Sequence, residues 1–274
     1  MKKMTKFMSV ALAATLAAAS LTACGGSGKT ETKAADETKA AGEATADGEV
    51  FTIAGIGPMT GDAASYGISV KQGAEVAINE INAAGGVQVG DTTYTLNLIF
   101  EDDEATEDKA IQAYNAVMDQ GADAILGCVT SGACIAITDL TAEDGILQIT
   151  PSGSALDCTK NDNAFRVCFT DPAQGVSMAD MAVETLGYKK IAVLYDNSSD
   201  YSMGIKEAFE EEVAAKGGEI VASEAFAGSD VDFNTQLTSI KGTDAEVIFV
   251  PAYYQQVTYI TKQAKEMGME LPFL

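Results

Sequence analysis

The side chains that could carry chemistry in this sequence include no histidine. Among 274 residues, 40 Asp and Glu stand against 17 Lys and Arg, and neither His nor Trp occurs. Without His, the commonest metal ligand, the usual general base and every His-containing triad are excluded. Catalysis would depend on carboxylate, Lys, Tyr, Ser or Cys side chains alone. The composition therefore favours a binding protein over an enzyme.

The acidic residues argue about partners more than about chemistry. A formal net charge of -23 repels phosphate backbones, so nucleic-acid binding through a basic face is excluded. Six acids crowd the eight positions from Glu101 to Asp108, a density that a calcium site could use. The run lacks EF-hand spacing and a glycine turn, and carboxylates entering a helix at its N-terminus explain it. We predict neither a metal site nor a cofactor.

The N-terminus reads as a secretion signal. Three Lys occur among the first six residues, and Phe7–Leu21 is mostly Ala, Leu, Val and Met. This apolar stretch is too short for a comfortable transmembrane helix. We therefore assign residues 1–23 to a signal peptide.

The residues around Cys24 predict a lipid anchor. The run Leu-Thr-Ala-Cys-Gly over 21–25 resembles the lipobox of bacterial lipoproteins, in which Cys24 becomes the lipidated N-terminus. An ordinary signal peptide with an incidental Cys is the alternative. Residues 24–48 contain hardly a large apolar side chain and predict a flexible tether. The expected location is the extracytoplasmic face of the bacterial cell membrane.

Four further cysteines lie in the remaining chain. They are Cys128, Cys134, Cys158 and Cys168. An even number in an exported domain permits two disulfides in three connectivities, which the sequence does not distinguish. Cys158 and Cys168 flank a loop-like segment that a disulfide between them would close. Without a neighbouring His, none is an obvious nucleophile.

Apolar periodicity predicts strands alternating with helices from residue 49 onward. Strand patterns cover 50–56, 94–100, 122–126, 146–150, 191–195, 219–225 and 247–250, with helical patterns between and after them. Such alternation is typical of an α/β fold with parallel sheets covered on both faces. Right-handed crossovers place all strand carboxyl ends at one edge, where ligands bind. A dinucleotide site after the first strand is disfavoured because Pro58 removes an N–H and no acidic residue follows at a strand end.

Several short segments together resemble a known family. They are Gly57–Gly61, Tyr66-Gly67, Gly73-Ala74, Ile81–Gly86, Gly145–Pro151 and Tyr253-Tyr254. From about Phe51 to the last residue the chain resembles the Leu/Ile/Val-binding proteins that serve ABC importers. The resemblance implies a type I periplasmic binding protein fold, with two Rossmann-like lobes joined by a hinge. We assign residues 49–168 to the N-terminal lobe and 169–274 to the C-terminal lobe.

The resemblance also implies a set of ligand-binding residues. It places Ser131 against the ligand α-carboxylate, and the helix start expected there suits an anion. A plain N-cap is the alternative for Ser131, and the two roles are compatible. Gly153 and Ser154 match positions whose carbonyl and hydroxyl contact the ligand, and a register shifted by one residue is the alternative. Three tyrosines would line the cleft, or pack as half-buried core residues: Tyr66, Tyr201 and Tyr253.

The function that this resemblance implies is non-enzymatic amino-acid capture. A monomeric, lipid-anchored binding protein would close on a branched-chain or similar amino acid and deliver it to a membrane permease. A sensor for an amide, a short peptide or an aromatic acid is one alternative. A secreted hydrolase using Ser131 or Ser154 with a Lys or carboxylate base is another. Because family members are longer, we also expect a C-terminally truncated chain with an incomplete second lobe.

Overall fold

Parallel strands alternate with helices through residues 48–274, the part of the chain that the computed structural model describes. The strands are β1 Glu49–Gly57, β2 Val87–Val89, β3 Thr92–Asp102, β4 Ala124–Gly127, β5 Leu147–Thr150, β6 Ala164–Arg166, β7 Lys190–Asp196, β8 Glu219–Phe226 and β9 Val247–Phe249. The helices are α1 Ala64–Ala83, α2 Glu107–Asp119, α3 Ser131–Glu143, α4 Asp171–Asp180, α5 Asp200–Ala215, α6 Asn234–Lys241 and α7 Tyr254–Glu266. A short 3₁₀ helix covers Leu156–Thr159.

Three of the sequence predictions fall wholly or almost wholly outside this region. The signal peptide, lipidated Cys24 and all but the last residue of the tether lie outside the described residues. No helix in 48–274 is long and apolar enough to cross a bilayer.

The first sheet holds six strands in the order β2-β3-β1-β4-β5-β6. All neighbours are parallel except β2, which forms a hairpin with β3. The central strands are built from small and branched apolar residues, and their side chains pack beneath α2 and α3. Ile56, Val117, Ile125 and Ile137 are fully buried there or nearly so. Each such side chain stabilises the lobe by about 1.5–3 kcal/mol.

The second sheet has three described strands in the order β8-β7-β9. Successive residues of the central strand β7 alternate between its faces. Ile191 and Val193 pack with Phe209 of α5, whereas Leu194 packs with Phe233 next to α6. Both faces of this sheet are therefore covered. Beyond α7, Phe273 makes a parallel bridge to Ile248 of β9.

A short segment joins the two sheets in the described chain. It runs through residues 167–170, and the Val167 N–H donates to the Thr150 carbonyl over 3.1 Å. At the start of α4, the Asp171 N–H donates to the Ser154 carbonyl over 3.0 Å. The Thr170 hydroxyl caps α4, and Pro172 occupies its first turn. The first helix of the second lobe is thereby tied to the first lobe.

The predicted α/β fold with parallel sheets is confirmed, and each predicted strand and helix has a counterpart. The apolar periodicity did not predict strands β2 and β6. Each has only three residues, which is too short for an alternating pattern to be recognised. The periodicity also missed α4, which continues as a π-type turn over Met181–Thr185.

The cysteines differ from one expectation. All four are free thiols, so no disulfide closes the segment between Cys158 and Cys168. The reason is packing: Cys158 is fully buried against α3, whereas Cys168 lies half-exposed in the joining segment.

Glycines let α4 and α5 cross at close range. A Cβ on Gly175 would lie 2.5 Å from the Ile205 carbonyl oxygen and 2.9 Å from the Phe209 nitrogen. On the facing helix, a Cβ on Gly204 would lie 3.1 Å from the Asp171 Cβ. Because the first two of these atoms are backbone, they cannot move aside without shifting the helix. The position of α5, whose first turn carries Tyr201, depends on this contact.

We expect Gly175→Ala to lower the free energy of unfolding by about 1–3 kcal/mol because the added methyl group overpacks the helix crossing. Urea unfolding measures this change. Gly73→Ala in α1 is the matched control: nothing lies within 4 Å of its added Cβ. Alanine there should leave stability unchanged or raise it by up to about 1 kcal/mol. Equal effects of the two substitutions would contradict the close packing.

Candidate ligand-binding site

The carboxyl ends of strands from both sheets border one cavity of about 900 Å³. The first sheet contributes the loops after β1, β3 and β4, and the second those after β7, β8 and β9. The lining residues from the first lobe are Gly61, Asp62, Ala63, Glu104–Lys109, Thr130 and Gly132. Those from the second are Asp196, Ser198–Asp200, Gly228, Tyr253 and Gln256. This size and position are typical of a small-molecule site.

Five helices begin at this cavity. They are α1, α2, α3, α5 and α7. Each has its N-cap residue or a residue of its first turn in the cavity lining. The N–H groups of a first helical turn have no intrahelical acceptor and carry the positive end of the helix dipole. The cavity therefore offers several donors to an anionic group such as a carboxylate.

The start of α3 is the most deeply buried of these helix ends. Ser131 is 1% exposed, and its hydroxyl accepts from the Ala155 N–H over 3.2 Å. The preceding Thr130 lines the cavity, and its buried hydroxyl has no hydrogen-bond partner. Gly132 also lines the cavity, and a Cβ placed on it would lie 3.7 Å from carboxylate oxygens of both Asp200 and Glu107. The predicted Ser131 thus lies between two cavity-lining residues.

The three predicted tyrosines form one cluster that joins the lobes. Tyr253 stacks on Tyr201 with ring centroids 5.0 Å apart and planes at 7°. Tyr66 of the first lobe lies 5.8 Å from Tyr253 and 5.2 Å from Tyr254. Its hydroxyl accepts from the Tyr254 N–H over 3.3 Å. The Ser65 hydroxyl donates to that of Tyr254 over 3.0 Å, which adds a second polar contact between lobes.

These tyrosines are neutral at physiological pH, because the ordinary pKa of tyrosine is about 10. Desolvation raises the pKa of Tyr66, Tyr201 and Tyr253, most strongly for Tyr253. The backbone of Ser131 lies near the Tyr253 hydroxyl and partly offsets the rise in its pKa. The cluster therefore presents neutral hydroxyls and aromatic faces beside the start of α3.

The acidic run after β3 shapes one wall of the cavity. Asp102 accepts from the Met59 N–H and the Thr60 hydroxyl, holding the loop after β1 in place. Glu104 and Ala105 have positive φ angles of 48° and 57°, which non-glycine residues rarely adopt. Their N–H groups donate to the carboxylates of Asp102 and Asp103 respectively, both over 2.9 Å. The run builds a tight turn, and within residues 48–274 no group of three possible metal ligands occurs.

The two remaining predicted residues lie behind the cavity wall. Gly153 is buried, its N–H donates to the Thr150 hydroxyl, and its carbonyl accepts from Arg166 over 3.2 Å. The neighbouring Ser152 is exposed, with its hydroxyl donating to the Val129 carbonyl. Ser154 is 3% exposed and its carbonyl also accepts from Arg166. The structure thus brings Ser131 and the tyrosines together, and places Gly153 against the core.

The sequence analysis did not identify one buried residue of this region, Asp171. Asp171 is 1% exposed, and neither of its carboxylate oxygens has a hydrogen-bond partner. Desolvation raises its pKa to about 6, which the positive charge of Arg166 opposes. Its charge also reaches Tyr201 and Tyr253. Asp171 follows a joining segment without periodicity, so only the Asp-Pro helix start could have drawn attention to it.

Comparison of the sequence and the structure with known proteins identifies the family of this chain. The profile of the family described as Periplasmic binding protein matches residues 50–274. The chain belongs to the periplasmic binding protein family. This periplasmic binding protein is 32% identical over 221 residues to Leu/Ile/Val-binding protein homolog 3 of Brucella melitensis, covering 80% of this chain and 59% of that relative. It is 30% identical over 224 residues to a leucine-, isoleucine-, valine-, threonine- and alanine-binding protein of Pseudomonas aeruginosa, covering 81% and 59%.

A solved structure shares the fold. The branched-chain amino acid transporter substrate binding protein LivJ of Streptococcus pneumoniae, in complex with isoleucine, is 33% identical with a TM-score of 0.75. The match covers 82% of this periplasmic binding protein and 63% of that chain. The chain spans about three fifths of the length of the curated relatives it matches. The expected resemblance to Leu/Ile/Val-binding proteins is confirmed.

We expect Asp171→Asn to stabilise the protein at pH 7.5 by about 1–2 kcal/mol. The folded-state pKa is about 6, above the usual value of 3.8, so the folded state favours the protonated carboxyl. Ionisation therefore costs stability progressively as the pH rises from about 4 through 6. Asparagine removes this cost, so its advantage should disappear near pH 4.

Urea unfolding at the two pH values measures this effect. Asp157→Asn, at an exposed position nearby, is the control for loss of one negative charge. A gain of equal size at both pH values, or a loss at pH 7.5, would show that the buried Asp171 carboxylate is not destabilising.

Proposed function

We propose that this chain is the substrate-binding lipoprotein of an ABC importer, which holds an amino acid between its two lobes. The observation that carries the proposal is the tyrosine cluster, in which Tyr66 from one lobe meets Tyr253 from the other, beside the start of α3 where Thr130 and Gly132 line the cavity. An aromatic wall next to free helix N–H groups suits a ligand with an apolar end and an anionic end.

The ligand carboxylate would bind at the start of α3. Ser131 would contribute its hydroxyl and N–H, and the unpartnered Thr130 hydroxyl lies close enough in sequence to add a third donor. The ammonium would be balanced by carboxylates of the lining, among them Glu107 and Asp200, which both face Gly132. A zwitterion would thus be satisfied at both charges.

The side chain of the ligand would lie against the aromatic rings. Tyr66, Tyr201 and Tyr253 present neutral, half-buried or exposed surfaces that can cover an aliphatic group. Relatives named for binding Leu, Ile and Val support a branched-chain or similar amino acid. Gly153 and Ser154 would contact the ligand once the lobes close, and the exposed Ser152 would take this role in the adjacent register.

Delivery and anchoring complete the proposal. Residues 49–168 and 169–274 would form the two lobes, closing as a monomer around the ligand and presenting the closed form to a membrane permease. Cys24 would carry the lipid that keeps the protein at the extracytoplasmic face of the membrane. The Ser131 hydroxyl is buried and accepts from the Ala155 N–H, an arrangement that supports binding over nucleophilic attack.

Calorimetric titration of the protein with a panel of amino acids tests the function. We expect stoichiometric binding of leucine, isoleucine or valine with no chemical change in the recovered ligand. Binding of an amide or an aromatic acid with none of these amino acids would contradict the proposed substrate class. Turnover of any ligand would contradict a pure binding role.

We expect Ser131→Ala to weaken amino-acid binding about 10- to 100-fold, because one hydrogen bond to a charged carboxylate contributes about 1.5–3 kcal/mol. The same titration measures this loss. Ser177→Ala is the matched control: its hydroxyl bonds within α4, outside the cavity lining. Unchanged affinity in Ser131→Ala would show that this hydroxyl, which does not cap α3 because Thr130 is the N-cap, serves only to hold the Ala155 N–H.

A further inference from the structure

Two of the free cysteines meet directly beneath the proposed ligand site. Cys134 lies in the first turn of α3, and Cys158 lies in the 3₁₀ helix Leu156–Thr159. Both side chains are fully buried. A Cβ placed on Gly153 would lie 3.1 Å from the Cys158 sulfur and 3.3 Å from the Cys134 Cβ, so the two cysteines border one point in the core.

The contacts of the two sulfur atoms place each of them against the segment that carries the other cysteine. The Cys158 sulfur lies 3.7 Å from the Ser131 carbonyl oxygen, and the Cys134 sulfur lies 4.0 Å from the Cys158 carbonyl oxygen. The neighbouring Cys158 side chain lowers the pKa of Cys134. The Gln148 amide also donates to the Cys134 sulfur, over 3.3 Å. This hydrogen bond lowers the pKa of Cys134 as well.

The other two cysteines are poorer partners for either. Burial and the nearby carboxylate of Asp103 raise the pKa of the Cys128 thiol, which disfavours its reactive thiolate form. Cys168 lies half-exposed in the joining segment, outside the core cluster that holds the other three. Packing therefore selects one pair among the connectivities that the sequence leaves open.

We propose that Cys134 and Cys158 form a disulfide in the exported protein. Periplasmic binding proteins work outside the cytoplasm, where disulfides persist. Each thiol loses its proton, and the two electrons released as the S–S bond forms reduce an incoming disulfide of a thiol–disulfide oxidant to two thiols. Because both sulfur atoms are buried, the exchange takes place during folding or local opening.

The cross-link joins the two segments that carry the proposed ligand contacts. It connects residues 24 apart, one in the turn that begins at Ser131 and one just after the loop of Gly153 and Ser154. These segments already share the hydrogen bond from Ala155 to Ser131. A covalent bond here would hold the start of α3 against that loop. It would also reduce the conformational entropy of the unfolded chain.

Peptide mapping of the full chain, refolded in a glutathione redox buffer and alkylated under denaturing conditions, tests the pairing. Cleavage after Lys and Arg leaves Cys128, Cys134 and Cys158 in one peptide, residues 110–160. A second cleavage after Glu143 separates Cys158 from the other two. We expect the two pieces to remain joined until a reductant is added. Pieces that separate without reductant, or a link from Cys158 to Cys168, would overturn the proposal.

The variant Cys128→Ser distinguishes the two remaining pairings. In this variant the two peptides should remain joined, because loss of the Cys128 thiol leaves Cys134 and Cys158 intact. Loss of the link in this variant would assign the disulfide to Cys128 and overturn the proposal. The map requires no ligand, so its outcome is independent of the proposed function.

Thermal unfolding checks the effect on stability. Reduction should lower the melting temperature of the oxidised protein by roughly 5–10 °C, as for a loop of this length. The double substitution Cys134→Ser and Cys158→Ser should remove the response to reductant. If the melting temperature of the unsubstituted protein were the same with and without reductant, a stabilising cross-link would be contradicted.

Discussion

The contact of Tyr66 with Tyr253 and Tyr254 is the interaction on which the site depends. The two sheets have separate apolar cores, and the contacts at the cleft and along the joining segment help to set their relative position. Tyr66 supplies both aromatic and polar contacts across this gap. Because the rings are neutral, the lobes meet there without adding charge to a strongly acidic cavity. The same rings would form the wall against the ligand.

Each lobe holds its part of this contact through a different device. In the first lobe, Asp102 fixes the loop that leads to α1 and therefore to Tyr66. In the second, the glycine-mediated crossing of α4 and α5 sets the first turn of α5, where Tyr201 stacks on Tyr253. The buried carboxylate of Asp171 lies where α4 leaves the first lobe. Its unpartnered oxygens cost stability, a pattern that often accompanies functional positions.

Much of the fold follows from apolar periodicity, and part of the site follows from topology. Strands such as β7 show clear alternation, and the carboxyl-edge rule alone brings Ser131 and Tyr253 to one cleft. The register around Gly153 was harder, because only the structure shows that its carbonyl binds Arg166 and that Ser152 is exposed. Asp171 carries no periodic signal, and its importance comes from burial. The pairing of Cys134 with Cys158 depends on tertiary packing, which spacing along the chain does not encode.

We propose that the lobes close at Tyr66 when the ligand binds, and a single fluorophore tests this most directly. The chain contains no tryptophan, so Tyr66→Trp introduces one reporter at the lobe contact. Titration with leucine should shift its emission and saturate together with the calorimetric binding curve. The control Tyr94→Trp, at the opposite edge of the first sheet beside Phe51, should not respond. Calorimetric binding with no change at Trp in position 66 would contradict closure of the lobes on the ligand.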